Sequence, residues 1–247
     1  MKSNLMALYI GLTLEKFMSL NDKLATELSH FLKTITYKNT GELDNSLTDE
    51  ERQKSISLMR VNASGEVSAQ ALYRGQAFFT NTPEVRKHLI KAGDEEFAHL
   101  EWCSKRLDEL GGKKSILDPL YYAGSFTLGS IAALISDATS LGFVEETEKQ
   151  VVEHLKRHLK EMSPKDEKSR KILEKMLEEE EIHGQEAKNH GSEELPPPVK
   201  GMMTATSKIM TECSPCPYES SQVPVPHPHP QGENLLVPVK ESIYVVI

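Results

Sequence analysis

One short pattern, a glutamate followed three positions later by a histidine, most constrains how this chain can fold. It occurs in residues Glu96–His99 (Glu-Phe-Ala-His) and again in Glu180–His183 (Glu-Glu-Ile-His). Residues three apart on a helix share one face, so each pair can bind a single metal ion. A third copy spans Glu27 and His30. About one such match is expected by chance, and we interpret this third pair as surface residues.

A single glutamate precedes each of the two main pairs at a nearly constant distance. Glu66 lies 30 residues before Glu96, and Glu148 lies 32 residues before Glu180. Two helices with one glutamate and two helices with Glu-x-x-His form the ligand set of a dinuclear carboxylate site in a four-helix bundle. We therefore predict an all-α fold with six metal ligands: Glu66, Glu96, His99, Glu148, Glu180 and His183.

Helical periodicity places these glutamates on apolar faces. Glu96 shares its face with leucines at 89, 100 and 107, and Glu180 shares its face with Leu173 and Met176. The face around Glu66 is the most polar, because it also carries Asn62. A buried carboxylate is costly unless it is paired or bound to metal, and no lysine or arginine shares these faces near the glutamates. The periodicity therefore favours metal ligands over solvated surface residues.

Capping and breaking residues set the expected helix boundaries. We expect helices at about 5–35, 49–79, 83–110, 142–162 and 164–190, with a short last helix ending near residue 211. Thr48 begins a capping box, Thr82 is expected to cap the third helix, and Ser163 with Pro164 is expected to cap the helix that carries Glu180. Gly65, beside Glu66, is predicted to be a close-packing point between helices.

The segment Pro119–Ser136 contains no charged residue in 18 positions. It is slightly short, and too rich in serine, threonine and glycine, to indicate a membrane span. A buried helix and a helix lying in the membrane interface both fit this composition. The sequence leaves these two alternatives open.

Composition defines the domains and excludes one class of partner. Residues 1–211 are predicted to form one helical domain, and the proline-rich residues 212–247 are predicted to be a disordered tail. The net charge of −8 and the isoelectric point near 5.7 argue against a nucleic-acid-binding protein.

The predicted ligands also limit the metal and the reaction. Carboxylate and imidazole donors suit iron or manganese and disfavour a thiolate-type zinc or copper site. Two ferrous ions can together deliver electrons to O₂. The ligands alone leave three outcomes open: oxygenation of an organic substrate, oxidation and storage of iron, and reduction of peroxide.

Several further motifs lie around the predicted ligands, at residues 60–66 (RVNASGE), 71–76 (ALYRGQ), 118–126 (DPLYYAGSF) and 195–199 (LPPPV). Together they resemble the demethoxyubiquinone hydroxylase family of ubiquinone biosynthesis. Residues 147–151 (TEKQV), followed by His154 and Leu155, resemble the proteobacterial branch of that family. The resemblance covers about residues 12–211, and the combination of motifs is specific.

This resemblance implies a ferritin-like fold, a centre of two iron ions and O₂-dependent hydroxylation of a polyprenyl benzoquinol ring. It implies the same six metal ligands, with two glutamates bridging the ions. It also suggests Tyr73 and His154 for tuning the site or delivering electrons, although a core tyrosine and a surface histidine are the simpler interpretations. NADH or the quinol itself is the implied electron source.

The family is membrane-associated without spanning the membrane, which favours an interfacial or channel role for Pro119–Ser136. We accordingly expect a peripheral protein on the cytoplasmic side of the cell membrane, either as a homo-oligomer or in a complex of ubiquinone biosynthesis. Two positions depart from the family. Ala63 stands where members often have histidine, and Leu155 stands where some have the tyrosine of a proposed electron route.

Two other functions remain open at this point. The first is a ferritin-like iron-storage protein, which would need to assemble into a shell. The second is a di-iron enzyme that acts on a soluble substrate, such as a peroxidase or a tRNA hydroxylase. The acidic composition and the uncharged segment disfavour tRNA as the substrate.

Overall fold

The computed structural model describes residues 2–38 and 42–213, with side chains from residue 18 onward. All regular structure in these ranges is helical, as the sequence predicts. The seven helices are α1 (Lys2–Thr36), α2 (Asp49–Phe79), α3 (Pro83–Glu109), α4 (Asp118–Ile135), α5 (Asp137–Glu161), α6 (Glu167–Asn189) and α7 (Pro197–Cys213). The predicted tail lies outside these ranges, apart from Glu212 and Cys213 at the end of α7.

Helices α2, α3, α5 and α6 form the predicted ferritin-like bundle, and the other three flank it. Helix α2 packs against α3 and α4, while α5 packs against α6. The largest cluster of buried apolar side chains draws on α2, α3, α5 and α6, and includes Met59, Leu100, Leu155 and Leu173, each at most 1% exposed. These four helices carry the Glu and Glu-x-x-His pattern, so the bundle core and the predicted site coincide.

The helix starts agree with the sequence in two cases and differ in two. Thr82 is the N-cap residue of α3 and is followed by Pro83, as predicted, but its side chain makes no capping hydrogen bond. Thr48 and Glu51 form the predicted capping box. Helix α5 begins at Asp137 rather than Gly142, because the Ser136 side chain accepts a hydrogen bond from the Thr139 amide. The cap predicted at Ser163 is wrong: Asp166 accepts from the Ser169 amide and caps α6.

Two contacts hold α1 and the interhelical loops against the bundle. Glu27 is not a free surface residue, because it accepts hydrogen bonds from the buried Arg74 at 2.7 and 3.1 Å. This pair ties α1 to α2. The guanidinium of Arg106, 2% exposed, bonds Asp44 and Asp166 at 2.8 Å each. A buried arginine requires such partners, and here they fix the α1–α2 loop and the start of α6.

Helix α4 has one face packed on α2 and one face in solvent. Its exposed apolar residues include Leu120, Ile131, Leu134 and Ile135, each more than half exposed. No helix within residues 2–38 and 42–213 combines the length and the apolar character that crossing a bilayer requires. The packed face explains the small residues of this segment, and the apolar outer face is compatible with the interfacial alternative.

Two glycines allow α2 and α4 to approach closely. A methyl group added to Gly75 would overlap the Phe126 carbonyl, and one added to Gly129 would overlap the Leu72 carbonyl. Since both obstacles are backbone, neither can move aside cheaply. We expect Gly75→Ala to lower the free energy of unfolding by about 1–3 kcal/mol, measured by urea denaturation.

Gly65→Ala is the matched control on the same helix. Gly65 has no atom within 4 Å of an added methyl group, so the prediction that it is a close-packing point is wrong. Alanine there should increase stability by roughly 1 kcal/mol through helix propensity. Equal stability of the two variants would contradict the proposed α2–α4 contact.

Candidate metal centre

The structure brings all six predicted ligand residues to one place in the bundle core. Helix α2 supplies Glu66, α3 supplies Glu96 and His99, α5 supplies Glu148, and α6 supplies Glu180 and His183. Each is at most 6% exposed. The local reason is the helical period, since the buried face of each helix that carries the leucines also carries the glutamate.

The six residues form two overlapping groups. Potential ligand atoms of Glu66, Glu96, His99 and Glu180 lie within 4.8 Å of one another, and so do those of Glu96, Glu148, Glu180 and His183. Glu96 and Glu180 belong to both groups. Two adjacent metal ions would fit this arrangement, and Glu96 and Glu180 would be available as ligands to both.

Both histidines turn the same ring nitrogen toward the shared glutamates. His99 Nδ1 lies 3.0 Å from Glu180 Oε1 and 3.3 Å from Glu96 Oε2. His183 Nδ1 lies 3.1 Å from Glu180 Oε2 and 3.2 Å from Glu96 Oε1. The two imidazole rings are 6.1 Å apart between centroids. Each Nδ1 is thus placed to ligate one of two neighbouring ions.

The electrostatics of the cluster are those of a site that attracts cations. Burial raises the pKa of Glu66 and of Glu148 well above the ordinary carboxyl value, and repulsion by Glu96 and Glu180 adds to it. Burial opposes the charge on His183, but hydrogen bonds to Glu180 and Glu96 outweigh it and raise its pKa to about 11. Four buried carboxylates need more positive charge than two histidines supply, and divalent cations would provide it.

Chemically, the donor set fits a pair of first-row metal ions. Its carboxylate oxygens and imidazole nitrogens suit Fe or Mn. Glu148 Oε2 is buried and has no hydrogen-bond partner among the described residues, as expected of an oxygen kept for a metal. The nearby Glu145 and Glu146 do not belong to either group: Ser192 donates to the first and Gln150 to the second.

Tyr73 lies beside the cluster. It is fully buried on α2, and its hydroxyl donates a hydrogen bond to Glu148. Burial, followed by the Glu148 charge, raises the pKa of Tyr73 well above its usual value. The phenol therefore stays protonated and orients one oxygen of Glu148. Its suggested part in electron delivery stays a prediction.

His154 lies apart from the six residues, on α5. It is partly buried, its ring is tilted by 54° against that of His158 with centroids 3.8 Å apart, and its Nδ1 lies 2.8 Å from an Arg157 guanidinium nitrogen. Burial lowers the pKa of His154 to about 4, so it is neutral near pH 7. It lines the cavity described next rather than the ligand cluster. Its role in electron delivery also stays a prediction.

A cavity of about 360 Å³ adjoins the cluster at Glu66. Its lining comes from α2, α4, α5 and α7, and it is mostly apolar; examples are Leu72, Leu128, Phe143 and Met203. Glu66 is both a wall of this cavity and a member of the ligand cluster. An apolar molecule in the cavity would therefore lie next to the metal positions.

Sequence reasoning missed two carboxylates that contact the predicted ligands. Glu179 lies 2.8 Å from His99, and Glu95 lies 3.2 Å from His183. A signal was present in the sequence, because each directly precedes the glutamate of a Glu-x-x-His pair. The periodicity argument passed over them, since they fall off the centre of the apolar faces.

Comparisons with known proteins agree with this site. The family model described as "Ubiquinone biosynthesis protein COQ7" matches residues 53–214. A 3-demethoxyubiquinol 3-hydroxylase of Francisella philomiragia subsp. philomiragia is 47% identical over 169 residues, which cover 68% of this chain and 80% of that protein. The protein of the same name from Nitrosococcus oceani is 48% identical over 172 residues, covering 70% and 80%.

These similarities decide among the functions that the ligands alone left open. The matched segment contains all six clustered residues, all of α3, α5 and α6, and α2 from residue 53 onward. The family description and the names of the relatives favour the hydroxylase over the iron-storage protein and over an enzyme with a soluble substrate. The chain therefore belongs to the COQ7 family, and it is a hydroxylase of ubiquinone biosynthesis.

Proposed function

We propose that this protein hydroxylates the ring of a demethoxy polyprenyl benzoquinol, using O₂ and two iron ions held by Glu66, Glu96, His99, Glu148, Glu180 and His183. The observation that carries the proposal is that Glu66 belongs both to the ligand cluster and to the wall of an apolar cavity. When bound, the iron pair would supply the redox chemistry with O₂. The protein positions the ring and keeps water away.

The overall reaction places one oxygen atom of O₂ on a ring carbon in place of hydrogen. The second oxygen atom leaves as water, which requires two electrons and two protons. No nicotinamide-binding motif occurs in the sequence. NADH and the quinol itself are the two electron donors that we propose.

The cavity and its mouth suit a lipid-like substrate. Leu120, Met202 and Ile209 line the cavity and are each about half exposed or more. Exposed apolar residues at a cavity entrance are expected where a substrate comes from a membrane. This supports peripheral association with the membrane surface, with α4 and α7 facing the lipid. We also propose that the chain works as a homo-oligomer or within a complex of ubiquinone biosynthesis.

Mass spectrometry of the turnover products tests the reaction. Iron-loaded protein would receive demethoxyubiquinol and O₂, with and without NADH, and the expected product is heavier by one oxygen atom. Using ¹⁸O₂ would show that this atom comes from O₂. Iron binding and O₂ uptake without that product would reject the substrate and keep the metal centre.

A variant that narrows the cavity tests where the substrate binds. Gly65 lines the cavity beside Glu66 and has open space around it. We expect Gly65→Leu to reduce turnover by about 100-fold through misplacement of the ring, while the bound iron stays at two ions per chain. Gly201→Leu is the control, because Gly201 also has open space but lies outside the cavity lining. Full activity of Gly65→Leu would place the substrate elsewhere.

A further inference from the structure

The two histidines of the cluster also have carboxylate partners on their outer sides. His99 Nε2 lies 2.8 Å from Glu179 Oε2, and His183 Nε2 lies 3.2 Å from Glu95 Oε2. Both contacts cross between helices, since His99 and Glu95 are on α3 whereas His183 and Glu179 are on α6. Each Glu-x-x-His helix thus supports the histidine of the other.

The second oxygen of each carboxylate is held by a lysine one helical turn earlier. Lys175 Nζ lies 3.0 Å from Glu179 Oε1, and Lys91 Nζ lies 3.0 Å from Glu95 Oε1. The pattern Lys-x-x-x-Glu-Glu-x-x-His therefore occurs twice, with every member repeated 84 residues later. The same three-part chain of lysine, glutamate and histidine is built on both sides of the site.

The chemistry of imidazole explains what the outer carboxylates can do for a metal-binding histidine. A neutral imidazole binds a metal through one nitrogen while the other carries the proton. In both histidines Nδ1 faces the shared glutamates, so the proton belongs on Nε2, where the outer carboxylate accepts it. Such a hydrogen bond fixes the tautomer and the ring orientation, and it makes the ligating nitrogen more basic.

We propose that Glu95 and Glu179 are positioning residues that hold His183 and His99 with Nδ1 directed at the metal ions. The inference rests on the proposed metal centre. It differs from the simpler interpretation of two surface ion pairs. Exposed lysine–glutamate pairs contribute little to stability and would be dispensable for metal binding. Glu95 and Glu179 are 39% and 29% exposed, so both can be replaced without opening the core.

Titration with Co²⁺ tests the proposal in the full-length chain. Affinity would be measured by competition with a chelator, and ligand geometry by the visible absorption of bound Co²⁺. Glu95→Leu and Glu179→Leu are each expected to weaken binding about 10–100-fold and to change the Co²⁺ spectrum. The corresponding glutamine variants keep an oxygen acceptor for Nε2–H, so they should recover part of the affinity.

Two reference variants make the result decisive. Glu181→Leu removes a neighbouring exposed glutamate that pairs with Lys156 and touches neither histidine, so it should bind Co²⁺ as the unmodified protein does. Leucine variants of Glu95 and Glu179 that match Glu181→Leu in affinity and spectrum would overturn the positioning role. Glu180→Ala should lose Co²⁺ binding whether or not the positioning role is correct. Unchanged Co²⁺ binding by Glu180→Ala would reject the metal centre itself. If circular dichroism shows that a leucine variant is unfolded, the Co²⁺ affinity and spectrum of the corresponding glutamine variant are compared with those of Glu181→Leu instead.

Discussion

Replacing Glu180 by alanine is expected to reduce hydroxylation below detection and to remove bound iron. Glu180 belongs to both ligand groups and contacts the Nδ1 atoms of His99 and His183, so its loss affects both metal positions. The loss of metal affinity should exceed the about 10–100-fold cost of losing an outer hydrogen-bond partner. Iron content by mass spectrometry and product formation in the turnover assay measure the effect.

The fold should survive this substitution, which separates a lost ligand from a lost structure. Removing a buried carboxylate also removes repulsion among the four glutamates, so the helical circular dichroism is expected to be unchanged. Glu181→Ala, the adjacent exposed position, is the control and should keep its iron and its activity. Substantial turnover by Glu180→Ala would show that the ligand assignment is wrong.

Removing the metal from the loaded protein is expected to lower its melting temperature. A ligand present at about 100 times its Kd stabilises the folded state by about 2.7 kcal/mol, which corresponds to roughly 5–10 °C for a domain of this size. The physical cause is the charge of the buried carboxylates, which the cations neutralise. Differential scanning calorimetry of loaded and metal-free protein provides the measurement.

This loss of stability should be larger at about pH 8 than at about pH 6. The pKa values of Glu66, Glu148, His99 and His183 are raised in the folded protein, so their protonated forms stabilise the metal-free fold at low pH. The carboxyls begin to lose this stabilisation above pH 4.5, and the histidines begin to lose it above pH 6.5. For His183 the loss is complete only as the pH passes its folded-state pKa of about 11. The pKa of Glu96 is lowered instead, so its contribution to stability changes only below about pH 4.5 and does not affect the comparison between pH 6 and pH 8.

The metal-loaded protein should show the reverse trend with pH. Protons compete with metal ions for carboxylate and imidazole ligands, so metal affinity increases as the pH rises. As the pH rises, the metal-free protein becomes less stable while the metal binds more tightly. The difference in melting temperature between the two forms therefore increases with pH. A difference that shrinks between these pH values would contradict the idea that these groups bind the metal.

The part of the site that the sequence could predict is the part that depends on the local periodicity of each helix. Glu96 and His99 share a helix face because of the 3.6-residue turn, and the leucines around them show that this face is buried. No long-range information is needed for either statement. The capping box at Thr48 is local in the same sense. The all-α bundle and the six clustered residues followed from signals of this kind.

Features that join two helices could not be predicted in this way. The sequence pointed to Gly65 as a packing position, whereas the close contacts are at Gly75 and Gly129, because the crossing of α2 and α4 decides which glycines meet backbone. The sequence alone predicts a surface position for Glu27, but the position of α1 places it against the buried Arg74. Both cases depend on how helices are rotated and aligned against one another.

The sequence by itself determined that this chain forms a helical bundle with a carboxylate and histidine cluster in its core, since each helix encodes its own buried face. Only the tertiary structure decided that Glu96 and Glu180 are shared between the two ligand groups and that Glu66 opens onto an apolar cavity. It also decided that Glu95 and Glu179 reach across to the opposite histidines. Contacts between helices depend on their relative rotation and depth, which no single helix specifies.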